Sequence, residues 1–199
     1  GVSWQHLFQE GYATVSVGQS YVDYDFRQSD SNLVPVFSNR SVEHESSVRG
    51  DIVVHLESNE LSGGVQGKFL RLQTGLTLSP FGTRFGDSLS LGTNYQADGM
   101  KVSGYVQLSR AIGKSRLTAG GRIDYFNLID KVVLSPRASY SVALSPIFNV
   151  NLSIGRYHQA PSYIWLAGNS INRGMDYVGV NQYVIGVDRM VRTDTKISV

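Results

Sequence analysis

The chain has 199 residues, of which 18 are Lys or Arg and 16 are Asp or Glu, so its formal net charge is only +2 and no basic run marks nucleic acid as a partner. The absence of cysteine excludes disulfides and cysteine-based metal sites. The 21 Gly, 11 Tyr and 8 Phe favour strands and turns over helices.

The first half of the chain contains irregular strand patterns. A first strand is predicted from about Ala13 to Phe26, although its alternation is uneven. Further on, Ile52, Val54 and Leu56 alternate with polar residues, and the pattern resumes after a short turn at Ser58–Glu60. These two runs therefore predict a hairpin.

The middle of the chain alternates more regularly. Within Lys101–Arg110 every second residue is apolar or glycine, and the opposite positions are mostly polar. The run Arg116–Phe126 repeats this pattern, and the intervening AIGKS suits a tight turn. We predict two strands here, each with one apolar side.

Three further alternating runs follow, at 137–144, 148–155 and 182–188, and Lys196–Val199 resembles the start of another strand. The total is about eight strands. Short links alternate with longer ones, which predicts an up-and-down meander with all short turns at one end. The short links are Ser58–Glu60, Ile112–Ser115, Ser145–Ile147 and Arg192–Thr195, and the longer ones are Gln28–Ser46, Gln73–Gly99, Asn127–Val133 and His158–Val180.

The composition of the two strand faces favours a membrane barrel over a soluble sandwich. One face carries arginines and asparagines suited to a wet lumen, and strands of about ten residues match a tilted membrane crossing. No apolar run reaches the roughly 18 residues of a spanning helix, and the N-terminal residues lack a signal-peptide pattern. The apolar face carries aromatics suited to an interfacial girdle, namely Tyr24, Phe69, Tyr125, Tyr140 and Phe148.

The stretch "SPRASYSVALSPIFNVNLSIGRYHQAPSY", followed about twenty residues later by "NQYVIGVD", resembles the later barrel strands of TonB-dependent outer-membrane receptors. The matching features are a Ser-Pro-Arg strand start, a Ser-Pro turn, an aromatic-rich Ala-Pro-Ser segment and a Gln-Tyr-hydrophobic-Gly strand. In place of the family's Gly-Phe-Arg before Ala-Pro this chain has His158 and Gln159, and its usual Asn-Pro-x-Leu-x-Pro-Glu stretch is replaced by GNSINRGMDYVGVN. The resemblance covers roughly a third of the chain.

The resemblance implies an all-β, antiparallel, up-and-down transmembrane β-barrel in the bacterial outer membrane. Residues 1–199 would then form a single segment of a larger barrel, with no plug domain and no signal peptide of their own. The implied function is energy-dependent uptake of a scarce nutrient such as a ferric siderophore, cobalamin or an oligosaccharide. The implied partners are outer-membrane lipid, the ligand, and a TonB-type energy-coupling complex acting through the plug.

Candidate ligand contacts lie in the segment that follows the Ser-Pro hairpin, because aromatic faces and a guanidinium suit planar, anionic or sugar ligands. The acidic cluster Glu43, His44 and Glu45 falls in a predicted loop, where solvated charge is favoured over a metal site. No enzymatic constellation and no cofactor motif is found. The candidate contacts are Tyr157, His158, Tyr163, Trp165, Asn169 and Arg173.

Two alternatives remain open on the sequence. A small self-contained outer-membrane barrel of about eight strands could act as an adhesin or structural anchor. A soluble β-sandwich binding module would also alternate, because each of its sheets has one buried face.

Overall fold

The computed structural model describes residues 1–82, 88–168, 170–192 and 194–199. Within them the chain is almost entirely β-strand, with one short α-helix and one 3₁₀ helix between the last long strands. The helices are α1 (Tyr163–Gly168) and the 3₁₀ helix Ser170–Gly174. The strands are β1 (Val2–Phe8), β2 (Gly11–Ser29), β3 (Pro35–Leu56), β4 (Asn59–Gly82), β5 (Ser88–Ile112), β6 (Ser115–Phe126), β7 (Lys131–Ser145), β8 (Phe148–Gln159), β9 (Val178–Met190) and β10 (Lys196–Ser198).

The strands form one antiparallel sheet in the order β1 to β10, so the predicted up-and-down meander is confirmed. In the described chain β1 pairs with β2 and β10 with β9, and the sheet is open. The estimate of about eight strands was too low, because β1 was not recognised and the first predicted strand is β2. A single sheet with no second layer also excludes the β-sandwich for the described residues.

The connections at one end are tight, as predicted. β1–β2, β3–β4, β5–β6 and β7–β8 are each joined by two residues. Gly113 has a positive φ of 57° in the β5–β6 turn, a conformation that glycine adopts at no steric cost.

Two of the predicted long links are wrong, because most of their residues extend β3, β4 and β5. Arg40 pairs with Gly75, and Gln73 with Gln96, well inside the ranges assigned to loops. The real β2–β3 connection is short and is closed by the Asp30 carboxylate, which accepts hydrogen bonds from two backbone N–H groups at 2.9 and 2.8 Å. The sheet therefore projects well beyond the length needed to cross a membrane.

The outward face of the sheet is apolar over about ten residues per strand, counted from the tight turns. Cross-strand pairing places Leu61 beside Leu108, and Val65 beside Gly104 and Ile123, on this face. Val65 and Val106 are 67% and 57% exposed, which is the reverse of a soluble protein's pattern. Phe69, Tyr125, Tyr140 and Phe148 lie on the same outward face, Phe69 and Tyr125 far from the tight turns and Tyr140 and Phe148 close to them.

The inward face of the same stretch is polar and internally hydrogen-bonded. Asp51 accepts hydrogen bonds from Arg49 Nε at 2.6 Å and from the Tyr105 hydroxyl at 2.8 Å. A side chain at Gly64 would meet the Asp51 carboxylate at 2.5 Å, so this glycine makes room for the network. Arg122 donates to Asp124 at 2.8 to 3.0 Å. The arginines therefore face the lumen, as predicted.

The polarity of the two faces reverses beyond the level of Phe69 and Met100, which are cross-strand partners. On the outward face the next paired level carries His44, Arg71 and Asp98, and Arg71 forms an ion pair with Asp98 at 2.9 Å. At the same point the inward face gains the buried apolar side chains Leu70 and Leu72 on β4, while β3 contributes the carboxylates Glu45 and Glu43 beside them. This reversal marks the level at which the sheet leaves the hydrocarbon and enters water.

The reversal corrects the position of one predicted girdle residue. Tyr24 pairs with Ser41 on the inward face, above the apolar band, and lines an inward cavity. It stacks on Phe26 with ring centroids 6.4 Å apart. Tyr24 therefore belongs to the upper lumen and not to the membrane interface.

Among the described helices, neither has the length and hydrophobicity required to cross a bilayer.

Candidate functional site

The connection between β8 and β9 folds back against the inward face of the wall and carries both helices. Leu166 of α1 is 1% exposed and packs with Phe126 and Ile129, which are also buried. The α1 backbone begins at the Ser162 carbonyl, which accepts from the N–H groups of Trp165 and Leu166. Apolar burial therefore fixes the helix to the end of β6.

Tyr163 links this connection to two parts of the wall. Its ring packs against the Leu70 and Leu72 cluster and lies edge-on to Phe126 at 5.9 Å. The Lys101 Nζ lies 4.1 Å from the Tyr163 ring centroid and 4.5 Å from that of Phe126. The cation thus sits against two aromatic rings in a cation–π arrangement.

The environment of Tyr163 also opposes its ionisation. Burial is the main cause that raises the pKa of the Tyr163 hydroxyl above its usual value, and the negative charges of Glu45 and Glu43 raise it further. Tyr163 is therefore neutral throughout the physiological range and acts as a packing and hydrogen-bonding group.

The acidic cluster at Glu43, His44 and Glu45 is part of β3, so its assignment to a loop was wrong. Alternation turns the two carboxylates inward and His44 outward, where it contacts Gln19 and Tyr21. The described part of the chain contains no group of His, Asp and Glu residues able to hold a metal ion. Glu45 forms an ion pair with Lys68 at 2.7 Å instead.

The remaining predicted contacts divide into two groups. His158 Nδ1 is 3.0 Å from the Ser135 hydroxyl, and the His158 ring lies edge-on to Tyr177 at 6.5 Å, so this imidazole is tied to the wall. Tyr157 lies over Gly155, whose missing side chain leaves room for the ring. These residues stand at the end of β8.

The second group lies on the helical connection. Trp165 is 63% exposed, and its carbonyl accepts a hydrogen bond from Asn172 Nδ2 at 2.6 Å, which ties α1 to the 3₁₀ helix. The Arg173 guanidinium lies 5.8 Å from the Tyr95 ring centroid and 3.4 Å from its hydroxyl. Asn169 lies outside the described residues. The structure thus brings Tyr163, Trp165 and Arg173 onto one connection above the lumen.

A cavity of about 320 Å³ opens beside this connection and was not foreseen from the sequence. Its polar lining includes Asn39, Ser41 and Thr74, which fall in the two stretches interpreted as long loops. The sequence pattern assigned Tyr24 to the outward apolar face, whereas the structure places it on the inward face. The alternation of Asn39, Ser41 and Glu43 along β3 was the available signal. The cavity is lined by Val22, Tyr24, Asn39, Ser41, Glu43, Leu72, Thr74 and Ser162.

A second, lower cavity of about 540 Å³ lies on the polar part of the same inward face. Arg49, Arg122 and Arg137 line it together with Tyr105 and Gln107. Arg49 and Arg122 are paired there with Asp51 and Asp124, and Glu60 also lines the cavity, so the lower lumen is rich in ion pairs. The upper cavity, in contrast, contains the carboxylate of Glu43.

Comparison with known proteins matches residues 1–189 to the family model described as "TonB dependent receptor-like, beta-barrel". No individual curated protein matches the sequence. The ferric enterobactin receptor PfeA from Pseudomonas aeruginosa superposes with a TM-score of 0.71 at 12% identity, over 98% of this chain and 32% of that one. The copper transporter OprC gives 0.71 at 11% identity, over 96% and 35%. The ferric citrate transporter FecA gives 0.57 at 11% identity, over 94% and 31%. The chain thus spans about a third of the length of these structures.

Proposed function

Because the chain belongs to the TonB-dependent receptor β-barrel family, we propose that it forms part of the wall and the ligand-capture surface of a receptor that takes up a scarce nutrient across the outer membrane. The observation that carries the proposal is the reversal of the two faces. An apolar outer band is suited to lipid, and above it the inward face is covered by a helical connection that presents exposed polar and aromatic groups.

The ligand reaches this surface from outside the cell, where the long end of the sheet projects. Trp165 offers an exposed aromatic face, and Arg173 offers a guanidinium held beside Tyr95. Asn169 lies between them in sequence and completes the proposed capture segment. Tyr163 anchors that segment, and Tyr157 and His158 form its edge at the end of β8.

The chain's own residues supply binding and wall without covalent chemistry. We infer that energy comes from a TonB-type complex in the inner membrane, acting on a plug domain inside the complete barrel. The arginine-lined lower lumen is the surface that such a domain would meet. The expected ligands are a metal complex of a small organic chelator, cobalamin or an oligosaccharide.

The proposal is tested by growth of cells that lack the complete receptor. We expect the null strain to grow poorly on one limiting nutrient, among chelated iron, copper, cobalamin and oligosaccharides as sole carbon source. Deleting the energy-coupling complex should produce the same defect. Normal growth of the null strain under all four limitations would refute the uptake role.

A loop replacement then tests the capture segment. Exchanging residues 163–174 for a Gly-Ser segment of equal length should leave the receptor in the outer membrane but reproduce the growth defect. The matched control exchanges only the turn residues Gly113 and Lys114 at the opposite end of the sheet for Asn and Gly, which preserves a tight hairpin. Normal uptake by the loop variant would remove the capture role from this segment.

A further inference from the structure

The upper cavity of about 320 Å³ has a lining that differs from the rest of the lumen. It lies between β2, β3 and β4 on the inward face and is bordered by Ser162 at the start of the helical connection. Its volume is at the small end of ligand pockets, which suits a single ring with its substituents. Given the proposed uptake function, on which this assignment rests, the cavity is one subsite of a larger ligand-binding surface.

The floor of the cavity is a buried cluster of neutral polar groups. Asn39 is 4% exposed, and its side-chain oxygen accepts from the Ser41 hydroxyl at 2.9 Å and from Thr74 Oγ1 at 3.4 Å. The Ser41 and Thr74 hydroxyls also lie within hydrogen-bonding distance of each other, and because each carries one proton, two of these three hydrogen bonds form at any one time. The Asn39 amide N–H groups form no hydrogen bond within the described part of the chain. They are therefore donors available to a ligand in the cavity.

A carboxylate stands beside this floor. Glu43 lines the cavity and forms no ion pair among the described residues, whereas Glu45, two positions along, is neutralised by Lys68. No Lys, Arg or His belongs to the described lining. Lys101 is near enough to sense the Glu43 charge, but its ammonium lies against the Tyr163 and Phe126 rings. The cavity therefore repels anions and accepts hydroxyl or ammonium donors.

The remaining lining is apolar and partly flat. Tyr24 stacks on Phe26 with an interplanar angle of 11°, and Leu72 and Val22 also line the cavity. An aromatic face next to hydroxyl, amide and carboxylate groups matches a ring that carries hydroxyl groups at its edge and C–H groups on its face.

We propose that this cavity binds one ring of an uncharged or amino-bearing sugar. The Asn39 amide donates to a ring hydroxyl, the Glu43 carboxylate accepts from a hydroxyl or ammonium group, and Tyr24 covers the C–H face. Sugars that carry a carboxylate are rejected by Glu43.

The test uses the purified complete receptor in detergent and three trisaccharide probes of different charge. Isothermal titration calorimetry is run with a glucose trimer, a glucosamine trimer and a galacturonic acid trimer. We expect binding of the first two and at least tenfold weaker binding of the acidic trimer. If none of the three binds, or if the acidic trimer binds best, the proposal is overturned.

Two variants assign the binding to the cavity. Glu43→Gln keeps the shape and removes the charge, so it should weaken the glucosamine trimer by about tenfold or more, change the glucose trimer by less than about threefold, and reduce the discrimination against the acidic trimer. Asn39→Leu should weaken both binding trimers by about tenfold. Gln73→Ala, next to Thr74 but on the outward face, is the matched control and should bind like the native receptor.

The variants also separate this proposal from the uptake function. Heat-dependent mobility in gel electrophoresis establishes whether each variant barrel is folded. If Asn39→Leu does not fold, Glu43→Gln still tests the subsite, because this exchange removes no buried packing. If Glu43→Gln leaves all three affinities unchanged, the subsite is wrong. The receptor function stands in that case whenever the null strain retains its growth defect.

Discussion

The attachment of α1 to the wall depends on one buried side chain, and replacing it provides a direct test. Leu166 is 1% exposed between Phe126 and Ile129. Leu166→Ala removes most of this side chain from a packed cluster, and such truncations cost about 2 to 5 kcal/mol. Because about 1.4 kcal/mol corresponds to a tenfold change in an equilibrium, the undocked population of α1 should rise by roughly 30-fold at the lower limit.

Hydrogen exchange of the complete receptor measures this undocking. The amide groups of Trp165 and Leu166, which donate to the Ser162 carbonyl, should exchange roughly 30-fold faster in Leu166→Ala, while β4 and β5 should keep their protection. The matched control is Trp165→Ala on the same helix, where the removed side chain is 63% exposed and no comparable change is expected. Equal acceleration in both variants, or none in Leu166→Ala, would refute the view that this cluster holds the helix.

Three further predictions concern the docking of α1 and the assignment of the faces. Lys101→Gln removes the cation from the Tyr163 and Phe126 rings, so exchange in α1 should accelerate by about 2- to 30-fold, because cation–π contacts are worth about 0.5 to 2 kcal/mol. Acceleration beyond that of Leu166→Ala would contradict this ranking. Since the pKa of Tyr163 is raised in the folded state, the stabilising contribution of its neutral hydroxyl is complete below about pH 10 and is lost as the pH rises above that value. Alkaline solution should therefore loosen α1 in the native receptor but not in Tyr163→Phe. Limited protease cleavage measures this loosening. Val106→Arg places a charge on the lipid face at a cost of about 2 to 4 kcal/mol, so it should reduce assembly of the barrel in the outer membrane. The control Gln107→Arg, on the lumen face, should assemble normally. Equal yields of assembled barrel from the two variants would contradict the assignment of the faces.

The sequence pattern predicted the part of the sheet that lies in the membrane better than the part above it. Alternation around Val106 and Leu117 placed the apolar side chains correctly, because lipid on one side and water on the other impose a strict period of two. The Ser-Pro turn at Ser145 and the AIGKS turn were also confirmed, since tight turns have local sequence signals. β1 was missed because its apolar residues Val2, Trp4 and Phe8 are interrupted by His6.

Above the membrane the same pattern was misinterpreted for a physical reason. Water lies outside the sheet there, and a packed connection covers the inside near Leu70 and Leu72. On β2 and β4 the apolar positions therefore move to the inward face, as at Tyr24 and Leu72. On β3 the inward positions above the membrane are polar, among them Asn39, Ser41 and Glu43, so alternation of apolar residues finds no strand between Gln28 and Ser46. Candidate contacts on the helical connection could be named from the sequence because they are close together along the chain. The upper cavity, in contrast, depends on the pairing of Asn39 with Leu76 and of Ser41 with Thr74. Short-range sequence patterns do not specify such pairing between strands.

The cover that α1 provides is uneven, and the less covered part of the lumen is where we propose the sugar subsite. Leu70 and Leu72, on β4, are buried beneath Tyr163, so this side of the wall is fully packed. On β2 the inward Tyr24 and Phe26 remain 48% and 43% exposed, although they face the same lumen. The boundary between the packed and the exposed side passes through the upper cavity, where Leu72 meets Tyr24. A ligand ring that enters there gains apolar contact with Tyr24 without displacing α1, so binding at this position does not require the helical connection to open.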